Sequence, residues 1–252
     1  MIREAIKLLK PAEGRTLDGE LSQSSIRVHL CSLSIVFKMA MRWGWVMRNP
    51  VDDVEKPPQS NVRVRYLSQD ELSRLLVACR NSRYPHLYLI VTLALSTGMR
   101  KEEILSLTWK QVDLDRERLI LEHTKNGQRS VPLKGRALEL IREHLLRRRP
   151  DSDFLFPGEK PSPKKPCRSV LESARHFDIT APWTAARKAA KITDFRFHDL
   201  RHTTASYLAM NGASLIEIAG VLGHKQLQTV HRYAHLSDDH LGLAVEYEST
   251  IP

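Results

Sequence analysis

The chain has 252 residues, 42% hydrophobic and 27% charged, ordinary for a soluble protein with one large or two modest cores. Its 39 lysines and arginines against 29 acidic residues give a formal charge of +10, which favours a polyanionic partner such as nucleic acid. No apolar run approaches the roughly 20 residues of a spanning helix, and no basic amphipathic anchor stands out.

The opening residues MIREAIKLLKPAEGR lack the long apolar region and small-residue cleavage site of a secretory signal. Cys31, Cys79 and Cys167 are odd in number and far apart, making neither a disulfide framework nor a zinc pattern. A reducing, cytoplasmic setting is expected.

Residues 1–57 read as a small helical unit. After a short first helix, Ser24 or Ser25 can cap a longer one, with Ile26, Leu30, Leu33, Phe37 and Ala40 on one face. That helix should stop around Trp43-Gly44-Trp45, and Asn49-Pro50 begins a turn. The stretch from Val51 to Tyr66 carries Pro-Pro, no period and scattered charge, and reads as interdomain connection, with 58–66 as the linker proper.

The second domain, 67–252, opens on a capping box, Ser68 to Glu71, followed by Leu72, Leu75, Leu76 and Cys79 on a buried face. A helix from about Pro85 to Ser96 is apolar nearly all round and should be central to the core. It ends at Thr97-Gly98, where glycine can turn left-handed. Met99-Arg100-Lys101-Glu102-Glu103 opens another helix through Leu107. RLILEHTKNGQRSVPL then reads as a β-hairpin: Leu119 to His123 out, Asn126-Gly127 as a primed turn, Arg129 to Leu133 back. Lys125 sits beside that turn, where its side chain could swing over a ligand.

Gly135 to Arg149 should be a helix with a basic end, 150–182 mostly loop with room for one helix, and Trp183 to Lys191 a short basic helix. His198 to Met210 should be helical. Ser214 and Glu217 box the next helix, and Gly223 closes it before His224.

Three apparatuses could use the stretch from Phe197 to Leu236. His198 and His202 share a helix face at a zinc-like spacing, but Asp199 stands where a catalytic Glu would follow, and Arg201 would place a cation beside the metal. Alternatively, TASYLAMNGASLIEIAGVLGHKQLQTVHRYAHL has the cadence of a helix-turn-helix regulator, with His224, Gln226 and Gln228 reading bases and Tyr233 as packing. That reading leaves Arg100 and the Lys125 hairpin without a role.

The third reading joins all the pieces. Thr-Gly-Met-Arg-Lys-Glu-Glu at 97–103, Thr-Lys-Asn-Gly at 124–127, His-Asp-Leu-Arg-His at 198–202, Leu-Gly-His at 222–224 and Arg-Tyr-Ala-His at 232–235 resemble the phage integrase, or tyrosine recombinase, family in order and spacing. The resemblance covers about 60–245. It implies a mainly α fold with a small antiparallel β-hairpin sheet and an enzyme that cuts and rejoins double-stranded DNA at specific sites. It further implies a 3′-phosphotyrosine intermediate, with no metal, ATP or other cofactor, and a homotetramer on paired DNA sites. By the same match Arg100 and Arg201 hold the phosphate oxygens, His198 and His224 donate hydrogen bonds or move protons, Lys125 protonates the leaving 5′ oxygen, and Tyr233 is the nucleophile. Glu103 and His202 support them.

Physical logic agrees: two guanidiniums can fork non-bridging oxygens and stay charged at any working pH. A phenol with a pKa near 10 needs neighbouring cations to react. The 57 residues before the linker resemble the latter half of the family's helical core-binding domain, so a partial DNA clamp is expected. No arm-binding domain is expected. Leu241 to Val245 is a candidate for a tail that docks on a neighbouring protomer.

Overall fold

Ser22, Ser68 and Ser214 each begin a helix in the computed structural model, which describes residues 22–57, 64–122, 127–158, 177–224 and 226–236. The short first helix, Thr124 to Asn126 at the hairpin tip, Cys167 and the Leu241–Val245 tail lie outside the described residues. The chain divides into two compact units, Met1–Arg63 and Val64–Pro252. Among the described residues no helix is long and apolar enough to cross a membrane.

In the first unit, α1 spans Gln23–Arg42 and starts earlier than expected. Ser22, rather than Ser24 or Ser25, is the cap, its hydroxyl accepting from the Ser25 N–H at 3.1 Å. The buried face carries Leu30 and Ser34, while Leu33 is exposed. The turn after the helix decides this: Asn49 donates to the Ser34 hydroxyl at 3.0 Å and to Asp52 at 2.9 Å, and Val51 is fully buried. Arg27 donates to the Pro57 carbonyl at 2.9 Å, so 51–57 packs with the helix instead of forming free connection.

In the second unit, α2 (Gln69–Arg80) is held by the expected capping box, the Glu71 N–H on the Ser68 hydroxyl and the Ser68 N–H on the Glu71 carboxylate. α3 (Leu87–Thr97) is the centre of the core: Leu87, Leu89, Ile90, Val91, Leu93 and Ala94 are all buried. Each large side chain there contributes about 1.5–3 kcal/mol of burial. Gly98 closes α3 with φ +61°, a left-handed turn. It reverses the chain into α4, which is only Lys101–Leu105, shorter than the expected run to Leu107.

The sheet has three antiparallel strands, β1 (Val112–Asp113), β2 (Arg118–Leu121) and β3 (Arg129–Pro132), in that order. β2 and β3 form the expected hairpin, with Leu119 opposite Val131 and Leu121 opposite Arg129. β1 was not expected. Leu119, Leu121 and Val131 point to the core. α5 (Gly135–Leu145) ends four residues short of the expected Arg149. Leu155 and Phe156, within the expected loop, are fully buried, and the Leu155 N–H is bonded to the Leu107 carbonyl at 2.7 Å.

α6 (Thr180–Ala189) starts before the expected Trp183. α7 (Asp199–Met210) and α8 (Leu215–Leu222) follow, the latter with its capping box and a left-handed Gly223. Thr204 on α7 donates to the Leu95 carbonyl of α3 at 2.9 Å, which fixes α7 against the central helix. A second apolar cluster joins Ala205 and Ala209 of α7, Ile218, Ala219 and Leu222 of α8, Val230 and Tyr233. The architecture is mainly α with one small antiparallel sheet.

Candidate active site

Two helix C-termini meet at one side chain. α3 ends at Gly98 and α8 at Leu222, and Arg201 of α7 donates to both main-chain carbonyls, Nη1 to Gly98 O at 2.6 Å and Nη2 to Leu222 O at 2.7 Å. A cation suits helix C-termini, where unpaired carbonyls concentrate negative potential. Arg201 is only 4% exposed, and among the described residues it forms no ion pair with a carboxylate. Burial, then repulsion from Arg100 and Arg129, pulls its pKa down to about 10, so it remains a cation at neutral pH.

Arg100 sits at the foot of α4, where Glu103 serves it twice. The carboxylate accepts from the Arg100 N–H at 3.0 Å, completing the cap of α4, and from Arg100 Nη1 at 2.7 Å. Burial alone would raise the Glu103 pKa; its bonds from Arg100 and the charge of Arg129 outweigh that and hold it below the usual carboxylate range. Arg100 and Glu103 share with His198 the wall of an open cavity of about 830 Å³, which also touches Lys110.

The histidines divide. His198, just before α7, is partly exposed with its ring against His202, and its pKa is lowered by that partial burial, then by Arg201. His224, after Gly223, is half-buried and is pushed down to about 4 by burial, then by Arg201, Arg100, Arg232 and Arg129. It is therefore neutral near pH 7, with one ring nitrogen to donate and one to accept.

Tyr233 lies in a 3₁₀ turn, His231–Leu236, and is 3% exposed. Its hydroxyl meets His202 Nδ1 at 2.5 Å. Burial raises its pKa, and the nearby Arg232 and Arg201 act in the opposite direction. His202 is itself pushed down to about 4, first by burial and then by His198. The ring of His202 is thus occupied by Tyr233, and among the described residues no three His, Cys, Asp or Glu side chains gather as metal ligands.

Arg100, Glu103 and His198 therefore line one cavity, and Arg201 and His224 lie close enough to Arg100 to feel its charge. Tyr233 and His202 are joined to each other, Tyr233 being as buried as Arg201. Lys125 lies outside the described residues. One further charged side chain in the cluster belongs to no motif: Arg129, the first residue of β3, is only 14% exposed. The signal for it in the sequence is slight, an arginine opening a return strand whose inward positions are apolar.

The Phage integrase family profile matches residues 65–240. The chain is 32% identical over 216 residues to the integrase of Salmonella phage P22, covering 84% of this chain and 54% of that protein. It is 34% identical over 236 residues to a shufflon-specific DNA recombinase of Escherichia coli, covering 90% and 54%. The chain thus spans about half the length of these curated relatives. Among solved structures, the catalytic domain of bacteriophage HP1 integrase is 28% identical with a TM-score of 0.54, covering 75% of this chain and 97% of that one. A Tn1549 transposon integrase in complex with transposon right end DNA shares the fold at 18% identity, with a TM-score of 0.73 over 91% of this chain and 81% of that one.

Proposed function

The chain belongs to the phage integrase family, and on that premise we propose that it is a site-specific DNA recombinase whose nucleophile is Tyr233. The observation that carries the reading is Arg201: a buried guanidinium that, among the described residues, has no carboxylate ion pair and is bonded through carbonyls at two helix ends, near a second guanidinium that lines an open cavity. Burying a cation without a counter-charge is costly unless an anion arrives. A phosphodiester between Arg100 and Arg201 supplies that anion, and the two forks hold its non-bridging oxygens more tightly as charge grows on them in the transition state.

The Tyr233 oxygen attacks phosphorus, the P–O5′ bond breaks, and the product is a 3′-phosphotyrosine with a free 5′ hydroxyl. The phenol gives its proton to His202 Nδ1, to which its hydroxyl is bonded, and the leaving 5′ oxygen takes one, for which Lys125 is the proposed donor. His198 and His224 donate to the phosphate. Because the bond energy is kept in the phosphotyrosine, attack by a 5′ hydroxyl reverses the step and rejoins a strand. The Tyr233 hydroxyl is bonded to His202, so attack requires that bond to be exchanged for the phosphate. The first unit serves as a partial clamp on the duplex, and paired sites held by a tetramer let strands change partners.

The test is a nicked duplex carrying a candidate attachment sequence, incubated with the protein in EDTA and resolved on a denaturing gel. A covalent protein–DNA adduct that disappears in Tyr233→Phe supports the reading. Sequence-specific binding with no adduct on any duplex would instead favour a regulator, and relaxation of supercoils without strand exchange would favour a topoisomerase.

A further inference from the structure

Arg129 touches both halves of this cluster. Its Nη2 donates to Glu103 Oε2 at 2.7 Å, and the other oxygen of the same carboxylate accepts from Arg100. Its Nη1 donates to the Leu222 carbonyl at 2.5 Å, the carbonyl that also accepts from Arg201. The guanidinium lies so close to Gly223 that a Cβ there would fall 1.8 Å from Nη1 and 2.7 Å from Cζ. Arg100, Glu103, Arg129, the Leu222 carbonyl and Arg201 thus form one continuous chain of charge-assisted hydrogen bonds, with Arg129 as its middle link.

From this we infer that Arg129 is a positioning residue for strand cleavage, setting Arg100 through Glu103 and setting His224 through the Leu222-Gly223 turn. The inference rests on the recombinase reading above. Three pieces of chain distant in sequence are involved: α4, β3 and the end of α8. The other bonds in the chain lie within α4 or between α7 and the two helix ends, whereas Arg129 fastens the sheet to them.

An ordinary structural arginine would be paired for stability alone and would face away from the reacting groups. Arg129 differs in charge as well as place. Two guanidiniums bind one carboxylate here, with the charge of Arg201 close by, and Arg129 is among the cations that hold His224 neutral, with Arg201, Arg100 and Arg232. Among the described residues its own Nε is buried without a partner, and burial holds its pKa down. The arrangement favours an incoming anion rather than the empty protein.

The experiment uses the full chain with Arg129→Met and Arg129→Lys, measuring duplex affinity by anisotropy and the rate of adduct formation at saturating nicked duplex. Arg129→Met should slow the adduct by about 10–100-fold, the scale of a misplacement near 1 Å, with affinity changed less than about threefold. Arg129→Lys keeps the charge but cannot span Glu103 and Leu222, and should recover only part of the rate. Combining Arg129→Met with Glu103→Gln should cost no more than the worse single change, because both cut the same link.

An independent readout follows the His224 ring by NMR titration: its pKa should rise in Arg129→Met and stay near the parent value in Arg129→Lys. A rate within twofold of the parent, strictly additive losses, or an unmoved His224 titration would overturn the inference. A rate loss that only tracks a lower folded fraction would overturn it as well. If the parent itself gives no adduct, the recombinase reading fails and the cleavage role falls with it, while the titration still reports whether Arg129 controls His224.

Discussion

Gly223→Ala tests the geometry of the cluster with its own internal controls. Gly223, Gly98 and Gly135 all have left-handed backbone, at φ +66°, +61° and +53°. At Gly135 an added Cβ meets nothing within 4 Å, so Gly135→Ala bears backbone strain alone, about 1–2 kcal/mol. At Gly98 the Cβ would lie 2.6 Å from a methyl of Leu222, which can shift. At Gly223 it would displace the Arg129 guanidinium. That side chain is long and flexible, so the collision itself is cheap; the cost lies in its bonds to Leu222 and Glu103. Each charge-assisted bond is worth about 1.5–3 kcal/mol, offset in part because Arg201 and Arg100 still hold the abandoned acceptors. Gly223→Ala should therefore cost about 3–5 kcal/mol, against 1–2 for Gly135→Ala, with Gly98→Ala between them. For a chain of this size that difference is a gap of roughly 5–10 °C in melting temperature between Gly223→Ala and Gly135→Ala. Calorimetry and denaturant titration of the three variants measure it. If Gly223→Ala melts with Gly135→Ala, Arg129 is not held where the structure puts it, and the linkage between α4, β3 and α8 is wrong.

Two other outcomes follow from the same electrostatics. Arg201→Gln should lower the rate of adduct formation by about 10²–10³-fold, the scale of losing one donor to a developing oxyanion, while the melting temperature changes by only a few degrees. A buried unpaired cation contributes little to the stability of the empty protein, so a parallel collapse of fold and rate would refute the assignment. Acid should destabilise the chain well above the carboxylate range. His86, His202 and His224 are each held at about 4 when folded, all mainly by burial, whereas an unfolded histidine titrates near 6.5. Between those values the unfolded chain binds protons that the folded chain does not. The stability is therefore fully present above about pH 6.5 and is lost as pH falls toward 4, by at most about 1.4 kcal/mol per pH unit per histidine. Denaturant midpoints at pH 7.5 and pH 5.0 check this, and equal midpoints would refute it.

The parts legible in the sequence are those decided within a few residues. Ser68 with Glu71 and Ser214 with Glu217 close reciprocal bonds across one turn, and Gly98 and Gly223 supply the left-handed ends of α3 and α8. The errors fall where distant chain decides. Three serines near the start of α1 are equivalent locally, and the face that Asn49 and Val51 cover sets the register. β1 is two residues long and exists because Val112 and Asp113 find partners across the turn in Leu119 and Arg118. α6 begins before Trp183 because Pro182 falls in its first turn, where a missing N–H costs nothing. α5 stops early where His144 turns its ring to the Leu155 carbonyl, at 2.7 Å, binding a segment with no hydrophobic period of its own. Arg129 had only a slight local sign, its place two residues before the inward Val131, since a strand-opening arginine ordinarily faces solvent; its burial follows from the end of α8 lying against β3.

The placement of Arg201 shows why the helix caps and the site are one problem. A left-handed glycine lets a helix stop abruptly and leaves its last carbonyls without intrahelical partners. α3 and α8 both stop this way, and they stop at the same place. Their free carbonyls are the acceptors for Arg201, so the guanidinium is held by dipoles rather than by a carboxylate. A carboxylate in that position would neutralise the charge and compete with a phosphate; carbonyls orient the fork and leave its full charge for an incoming anion. Glu103 is the acid whose charge acts on Arg201 most, and it is engaged by Arg100 and Arg129. Replacing either glycine perturbs a carbonyl acceptor and the cation it holds together, which is why substitutions at residues with no side-chain chemistry of their own should register in the chemistry.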